Sequence, residues 1–510
     1  MPLLSSSRAR RIFGGWSANV MQLLLALTQQ IVLIPLFLKY WSSDTLSAWL
    51  TIFAAGSLVL AADAGLHAWS LNRFLAFKSK SGCDRRSSRY YGAIFQLFVC
   101  FTLLLAIVVL GICALVTPSR LLGFPAEADF DIAFVIMVLG SVVMLPSNLP
   151  SALYRARGLY GRIVRVQAVG TAIGQIGQIV GVVATGSLLV VVLAFVAGQI
   201  ATAIFILFVD VRRQFPFLGH LRRRTSRISW RWTVGQFVGA FPFSVMNFAE
   251  VGLAYLSVLL IGIFVSDRIA IAQWGLTRTI ANLLRGLCYQ MTLPLAAELG
   301  HDHAIGARDS LQRLYARGST ILVLFASGTT AGLLAFWPDF FAIWTHGAIP
   351  TNAMLTITLL LGTCIAAPAI LALSYANYSN RGSLLLWTKS TQLVIFLVMS
   401  FLLIPRLGPL GAAIALIASD LIAQSGILSF VILSETLRHP LRYVLLLAVM
   451  MVTIVASGAA LGVVIRDVAP GTGLLHFAIE CAVWLLAVAL IASPLAHRPL
   501  RVRLIAALPG

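Results

Sequence analysis

The chain has 510 residues, of which 59% are hydrophobic and only 11% charged, and its formal net charge is +20. Soluble domains carry about 25% charged and roughly 45–50% apolar residues, so this composition excludes a soluble enzyme and a secreted disulfide scaffold. The apolar residues fall in runs of about 20 or more, the length that a helix needs to cross about 30 Å of hydrocarbon. We therefore predict an all-α, polytopic integral membrane protein.

About fourteen membrane-spanning helices are predicted. Arg8, Arg10 and Arg11 precede an apolar stretch that is too long for a signal-peptide core, so we predict an uncleaved first span. The predicted spans are 14–37, 45–66, 91–116, 131–153, 164–185, 187–209, 233–263, 268–296, 318–337, 351–375, 384–404, 408–433, 441–465 and 473–495.

The basic residues predict the orientation. With a cytoplasmic N-terminus, the inner segments hold most of the 37 Lys and Arg residues, and the C-terminus is cytoplasmic as well. The outer segments hold only Lys39, Arg120, Arg268, Arg406 and Arg466. This bias follows the positive-inside rule. It also accounts for the +20 charge without nucleic acid, because basic clusters at the inner surface face anionic lipid headgroups.

The longest basic connection predicts the domain organisation. We expect an N-terminal lobe over 1–209, a basic cytoplasmic linker over 210–232, a C-terminal lobe over 233–433, and spans 13 and 14 with a cytoplasmic tail over 434–510. Two six-helix lobes in parallel repeat are typical of duplicated transporters. Ser43-Asp44 and Ser266-Asp267 open similar segments in the two halves, although chance similarity between apolar helices is the alternative.

Span 8 carries the most informative polar residues. Arg278, Asn282, Arg285 and Tyr289 have the spacing i, i+4, i+7 and i+11, which places them on one helix face. An arginine facing lipid at mid-bilayer costs about 2.5–3.5 kcal/mol, so we predict that this face points inward. These four residues are candidate substrate-binding residues.

Span 7 places Asn247 and Glu250 on roughly one side, at a depth close to that of the two arginines. Glu250 is either a structural counter-ion for an arginine or one acid facing two cations, which leaves a net positive lumen. These two interpretations are compatible. Asn247 is included among the candidate substrate-binding residues.

Other polar residues lie on further spans. Span 1 presents Asn19, Gln22 and Gln29, which either join helices by hydrogen bonds or line a wet cavity. Span 5 presents Gln167, Thr171, Gln175 and Gln178 beside regularly spaced glycines, a pattern that favours close helix packing.

Two further acids are candidates for coupling. Asp63 precedes Gly65 at the inner end of span 2, where a boundary role and a functional role are equally consistent with the pattern. Asp420 lies in the middle of span 12, with Gln424 one turn later, and is a candidate proton or cation site.

Signatures of enzymes and metal sites are absent from the sequence. It has no GxxxxGK[ST], HExxH or GxSxG motif, and its six cysteines have no metal-ligand spacing. We therefore predict neither an enzyme nor a metal site nor a cofactor, and coupling to H⁺ or Na⁺ stays open.

Several segments together resemble a known family. They are Ile34-Pro35-Leu36, Ala48-Trp49-Leu50, Leu60 to Leu66, Leu276-Thr277-Arg278-Thr279-Ile280, Leu293-Pro294 and Leu407 to Ala413. Over about residues 12–435 the chain resembles the polysaccharide-transporter branch of the multidrug/oligosaccharidyl-lipid/polysaccharide exporter superfamily, whose members flip repeat units of O-antigen, capsule and exopolysaccharide.

The resemblance implies a fold and a function. The expected fold has two six-helix lobes in a V around a central cavity, plus two C-terminal helices. The expected function is alternating-access transport of an undecaprenyl-diphosphate-linked oligosaccharide from the cytoplasmic to the periplasmic leaflet of the bacterial inner membrane, for lipopolysaccharide or exopolysaccharide synthesis. Arg278 matches a basic position of such flippases. Expected partners are membrane lipids, a polysaccharide polymerase and a chain-length regulator, with no nucleic acid.

Two other functions stay open. A cation-coupled multidrug antiporter of the sister branch is expected to have an acid in its N-terminal lobe, and span 1 has none. A polysaccharide polymerase or ligase is expected to have a large periplasmic loop, and the longest outer connection predicted here is 117–130.

The predicted topology is testable with reporter fusions. We expect a fluorescent protein fused after Gly510 to fluoresce and alkaline phosphatase at the same point to be inactive, because an even number of spans returns the chain to the cytoplasm. Fusions within 117–130 serve as the outer control. Phosphatase activity after Gly510 would contradict the span count.

Overall fold

The structure is a computed structural model that describes residues 21, 24–25, 28, 32–63, 65–78, 82–125, 127, 129–218, 229–379, 381–468, 471 and 473–496. All regular secondary structure in these residues is helical. They form two compact units, unit 1 (Met1–Arg268) and unit 2 (Ile269–Gly510). The predicted all-α class is confirmed.

Unit 1 is built from long helices and short helical connections. Its elements are α1 (Leu33–Tyr40), α2 (Ser43–Val59), a 3₁₀ turn (Leu60–Asp63), α3 (Leu66–Lys78), α4 (Cys83–Leu115), α5 (Pro118–Leu122), α6 (Phe130–Met144), a 3₁₀ turn (Leu145–Ser147), α7 (Asn148–Ala156), α8 (Tyr160–Thr185), α9 (Leu188–Ile204), a π-helical segment (Phe205–Asp210), α10 (Val211–Gln214) and α11 (Trp230–Phe264).

Unit 2 continues with helices of similar length. Its elements are α12 (Ile269–Ile305), α13 (Arg308–Trp344), α14 (Ala353–Tyr378), α15 (Gly382–Leu407), α16 (Pro409–Ser419), a π-helical segment (Asp420–Leu428), α17 (Ser429–Thr436), α18 (Pro440–Val468) and α19 (Leu474–Ala496).

Eleven helices of the described residues are long and apolar enough to cross a membrane. They correspond to predicted spans 3–7 and 9–14. Predicted span 1 lies mostly outside the described residues. Predicted spans 2 and 8 correspond to α2, which is interrupted at Leu60, and to α12, which carries polar and charged side chains along its length.

The division between the units follows helix packing. Helix α11, which is predicted span 7, packs on α2 and α3 and therefore belongs to unit 1. The boundary between the units lies at Arg268, one span after the basic connection 210–232. The division into two six-span lobes at that connection stays a prediction.

Small residues allow α8 and α9 to pack closely. A Cβ added at the α8 glycines would meet α9 side chains or backbone: Gly170 faces Thr202, Gly174 faces Phe195, Gly177 faces Ala194 and Gly181 faces Val191. In addition, Gln175 Nε2 donates a hydrogen bond to Leu25 O over 2.9 Å. The close packing predicted for span 5 is therefore confirmed.

The last two helices pack on α13. Trp484 of α19 donates a hydrogen bond from Nε1 to Gly458 O of α18 over 2.9 Å. Its ring lies against Gly332 of α13, and a Cβ added at Gly458 would contact Ala331 of α13. The outward faces of α18 and α19 are rich in exposed apolar side chains, as expected of helices that face lipid.

Gly65 allows the connection between α2 and α3 to lie unusually close to the backbone of α11. Helix α2 ends in the 3₁₀ turn, and the backbone N–H of Gly65 donates to Asp63 Oδ1 over 2.9 Å. Gly65 has a φ of +66°, and a Cβ added there would lie 2.6 Å from the carbonyl oxygen of Ala240 in α11. Any side chain at this position therefore displaces the backbone of α11.

We predict that Gly65→Ala destabilises the protein much more than Gly82→Ala. Gly82 also has a φ of +66°, but nothing lies within 4 Å of a Cβ added there. Both substitutions place an alanine in the left-handed backbone conformation, which costs about 1–2 kcal/mol. Only Gly65→Ala also makes the new methyl group collide with the backbone of α11. Thermal unfolding of the detergent-purified variants measures the difference, and equal melting temperatures would contradict the close approach.

Candidate functional site

Helix α12 carries the polar face predicted for span 8. Arg278 is buried, with 7% of its surface exposed, and its guanidinium lies 5.4 Å from the ring centre of Trp274, one turn earlier. Asn282 and Tyr289 are exposed, whereas the side chain of Arg285 is 34% exposed. The face thus runs from a buried cation at Arg278 to polar groups that remain accessible.

Arg285 forms an ion pair with Asp420. Its Nη1 lies 2.6 Å from Asp420 Oδ2, and its Nη2 donates to Asp420 Oδ1 over 3.3 Å. This two-point contact matches the planar guanidinium to the carboxylate. The carboxylate is 1% exposed, so Arg285 is the more accessible partner.

Two glutamines complete the coordination of this carboxylate. Gln424 Nε2 donates to Asp420 Oδ1 over 2.7 Å, and Gln392 Nε2 of α15 donates to the same oxygen. A buried carboxylate requires such hydrogen bonds because the ion pair alone does not offset its desolvation. We call Arg285, Gln392, Asp420 and Gln424 the Asp420 cluster. It joins α12, α15 and predicted span 12 within unit 2.

The local backbone at Asp420 is also unusual. Asp420 begins the π-helical segment Asp420–Leu428, and π-bulges inside α-helices frequently occur at functional sites. The extra residue per turn changes which side chains share a face. Gln424 lies four residues after Asp420, a spacing that places both side chains on one side of the helix.

Unit 1 contains a related arrangement that the sequence analysis did not identify. Its π-helical segment ends at Asp210, which is 1% exposed. Arg162 Nη2 lies 2.5 Å from Asp210 Oδ1, and the Tyr154 hydroxyl donates to Oδ2 of the same carboxylate. Asp210 directly follows an apolar run, and this is the signal by which the sequence could have revealed a buried acid.

The remaining candidates lie in different places. Asn247 of α11 donates from Nδ2 to Asp63 Oδ1 over 3.4 Å, so these two residues form a contact inside unit 1. Glu250 is exposed on α11, and its role stays a prediction. Asn19, Gln22 and Gln29 lie outside the described residues.

Lys389 is a further buried cation of unit 2. It lies in the second turn of α15 with 4% of its surface exposed. It is one turn from Gln392. Two of the cationic side chains within α12 and α15 of unit 2 are therefore buried, namely Arg278 and Lys389, and Arg285 is paired with the Asp420 carboxylate.

Comparisons with known proteins concern the fold. No family model and no curated protein matches the sequence. The chain is similar to the solved structure of a lipid II flippase MurJ in an inward closed conformation, with 14% identity and a TM-score of 0.71, over 95% of this chain and 99% of that one.

Two other solved structures belong to the MOP superfamily. An inward-facing multidrug resistance MATE transporter matches with 14% identity and a TM-score of 0.63, over 81% of this chain and 97% of that one. A transporter from Pyrococcus furiosus matches with 13% identity and a TM-score of 0.53, over 87% and 94%. The chain therefore has the fold of these transporters, and the fold that the resemblance implied is confirmed at this level.

The Asp420 cluster can be tested by a double-mutant cycle. We expect Arg285→Gln to lower the free energy of unfolding by about 3 kcal/mol, because it leaves a buried carboxylate without its cation. Arg285→Gln combined with Asp420→Asn is expected to recover most of this loss, since both charges are then removed. Melting temperatures of detergent-purified variants provide the measurement, and additive losses would contradict the pairing.

Proposed function

We propose that the protein flips a lipid-linked oligosaccharide with a diphosphate head, carried on undecaprenol, from the cytoplasmic to the periplasmic leaflet of the bacterial inner membrane. The observation that carries this proposal is the Asp420 cluster, which holds Arg285 partly accessible on α12, the helix of predicted span 8, which also carries Arg278. A similarity of fold to a lipid II flippase supports the class of substrate.

The chemistry of the substrate explains why these residues suit it. Bare charge in hydrocarbon costs tens of kcal/mol on an idealised estimate, so a diphosphate crosses only where protein groups replace its hydration. Arginine is well suited to this role because its planar fork binds phosphate oxygens in pairs. The lipid tail needs no such site and stays in the bilayer.

We propose that the diphosphate competes with Asp420 for Arg285. Before substrate binds, Asp420 neutralises and orients the guanidinium. When a phosphate takes over Arg285, the carboxylate keeps its hydrogen bonds from Gln392 and Gln424, so it is not left bare. Return of Arg285 to Asp420 then favours release of the diphosphate. The cluster would thus exchange one anion for another without exposing an unpaired charge.

The membrane potential offers an energy source for this cycle. Moving a negative charge out of a negative-inside cytoplasm releases about 2.3 kcal/mol per 100 mV, and a diphosphate carries about two such charges. We propose Asp420 and Asp63 as the groups through which H⁺ or Na⁺ would add further coupling. A polymerase and a chain-length regulator are the proposed partners after translocation.

A multidrug exporter is the second candidate, because a MATE transporter also shares the fold. Exporters of cationic drugs need acidic residues in the path of the substrate. Here the membrane-embedded helix α12 presents arginines instead. The positive charge on this helix favours an anionic substrate over a cationic one.

We predict that Arg278→Gln, and separately the stability-compensated pair Arg285→Gln with Asp420→Asn, lower the rate of flipping at least about tenfold. A tenfold change corresponds to about 1.4 kcal/mol, less than the loss of one charge-assisted contact to phosphate. The measurement is translocation of a fluorescent undecaprenyl-diphosphate-linked saccharide in proteoliposomes with an imposed potential.

Arg466→Gln is the matched control for this experiment. Arg466, at the end of α18, also lies in unit 2 and faces a carboxylate, Asp339 of α13, at 3.4 Å, but both side chains are about 40% exposed. It should flip at the wild-type rate. Normal flipping by the Arg278 and Arg285 variants would remove the proposed role of these cations, and absence of flipping by the wild type would remove the proposed function.

A further inference from the structure

Unit 1 contains a second polar site, far in sequence from the arginines. It is a cavity of about 280 Å³ between α2, α6, α7, α8 and α9. We call it the polar chamber. Its polar lining residues are Ser57, Ser141, Ser147, Asn148, Gln167, Thr171, Gln199 and Thr202, and its apolar lining residues are Phe53, Gly56, Met137, Met144, Phe195, Ala203 and Ile206.

The polar side chains of the chamber have unused hydrogen-bonding capacity. Among the described residues, the side chains of Ser57, Ser141, Asn148 and Gln199 have no hydrogen-bond partner. The hydroxyls of Ser147, Thr171 and Thr202 donate to carbonyls of their own helices, which leaves their oxygen lone pairs available. The chamber therefore offers both donors and acceptors to an occupant.

Such groups are costly inside a membrane protein unless something polar contacts them. An unsatisfied polar group in the hydrocarbon region costs several kcal/mol. Four such side chains around one cavity therefore require a polar occupant, which is either water or a bound ligand. The volume of the cavity corresponds to about nine water molecules at about 30 Å³ each, which is also enough space for one pyranose ring.

The composition of the lining selects the chemistry of the occupant. No charged side chain lines the chamber, so neither a phosphate nor a metal cation finds a counter-charge there. Hydroxyl groups both donate and accept, as the amides and hydroxyls of the lining do. Phe53 and Phe195, whose ring centres are 5.9 Å apart, add an apolar surface for the C–H face of a sugar ring.

We infer that the polar chamber binds one uncharged sugar residue of the transported glycan. This inference rests on the proposed function and deepens it, because it assigns recognition of the sugar to unit 1 and recognition of the diphosphate to unit 2. Amides of Asn148 and Gln199 hold the sugar hydroxyls, and the two phenylalanines contact the ring. The chamber thus determines which sugar is accepted, whereas the arginines bind a group that all such lipids share.

Equilibrium binding to the full-length protein in detergent tests this inference. The two probes are undecaprenyl diphosphate carrying one glucose residue and undecaprenyl diphosphate alone. We expect the wild type to bind the glucose-bearing lipid more tightly. Asn148→Leu and Gln199→Leu are each expected to lower that affinity about five- to tenfold, the effect of one or two lost hydrogen bonds, without changing the affinity for the bare lipid.

Gln96→Leu is the matched control, because Gln96 lies on α4 in the same unit but does not line the chamber. It should retain the wild-type preference. Unchanged affinity of the bare lipid also shows that the chamber variants are folded. Equal affinity of the wild type for both lipids, or an unchanged preference in both chamber variants, would overturn the inference and indicate a chamber that holds water only.

These outcomes are separable from those of the proposed function. Loss of the sugar preference is measured at equilibrium, without translocation. A protein that binds the glucose-bearing lipid through the chamber but does not flip it would support the chamber and refute the flippase. A protein that flips both lipids equally, with no preference in binding, would support the flippase and refute the chamber.

Discussion

A buried charge needs a partner, and in unit 2 the carboxylate of Asp420, on a helix long and apolar enough to cross a membrane, meets this need through the Asp420 cluster. The carboxylate is almost fully buried and accepts hydrogen bonds from three side chains on three helical segments. Stability alone is a weak explanation for such a cluster, because apolar replacements of buried ion pairs are often neutral or stabilising. The partial exposure of Arg285 is instead consistent with our proposal that it binds an anionic substrate, with the Asp420 carboxylate as its partner when no substrate is bound.

Unit 1 contains two groups of buried polar side chains, one charged and one uncharged. Asp210 is paired with Arg162 and hydrogen-bonded by Tyr154, so its charge is compensated within the protein. The polar chamber has no charge, and several of its side chains have no partner among the described residues. A polar cluster whose hydrogen-bonding groups are all satisfied rigidifies the helices that it joins. A cluster with unsatisfied groups can instead form hydrogen bonds to a ligand. This contrast distinguishes a structural cluster from a binding site.

Much of the fold is predictable because apolar runs and basic connections are local features of the sequence. The partner of Arg285 is not local: Asp420 lies 135 residues away, and the sequence analysis identified both residues but considered Glu250 as the counter-ion. The depth of Glu250 along its span suggested it as the counter-ion, but ion pairing depends on which helices are neighbours. In addition, no sequence pattern predicts the π-helical segment that begins at Asp420. The burial of Lys389 likewise depends on tertiary packing, which a local sequence pattern does not record.

The separation of charged and neutral recognition has a consequence for selectivity. Every polyisoprenyl-diphosphate lipid presents the same phosphates, so the proposed contacts to Arg278 and Arg285 would contribute equally to all such lipids. Discrimination between glycans must come from groups that differ, and sites built to hydrogen-bond a hydroxyl reject analogues that lack it because their own polar groups are then unpaired. The chamber amides have this property, and they are uncharged. Changes at Gln199 are therefore expected to alter which glycan is carried, whereas changes at Arg285 affect all glycans alike.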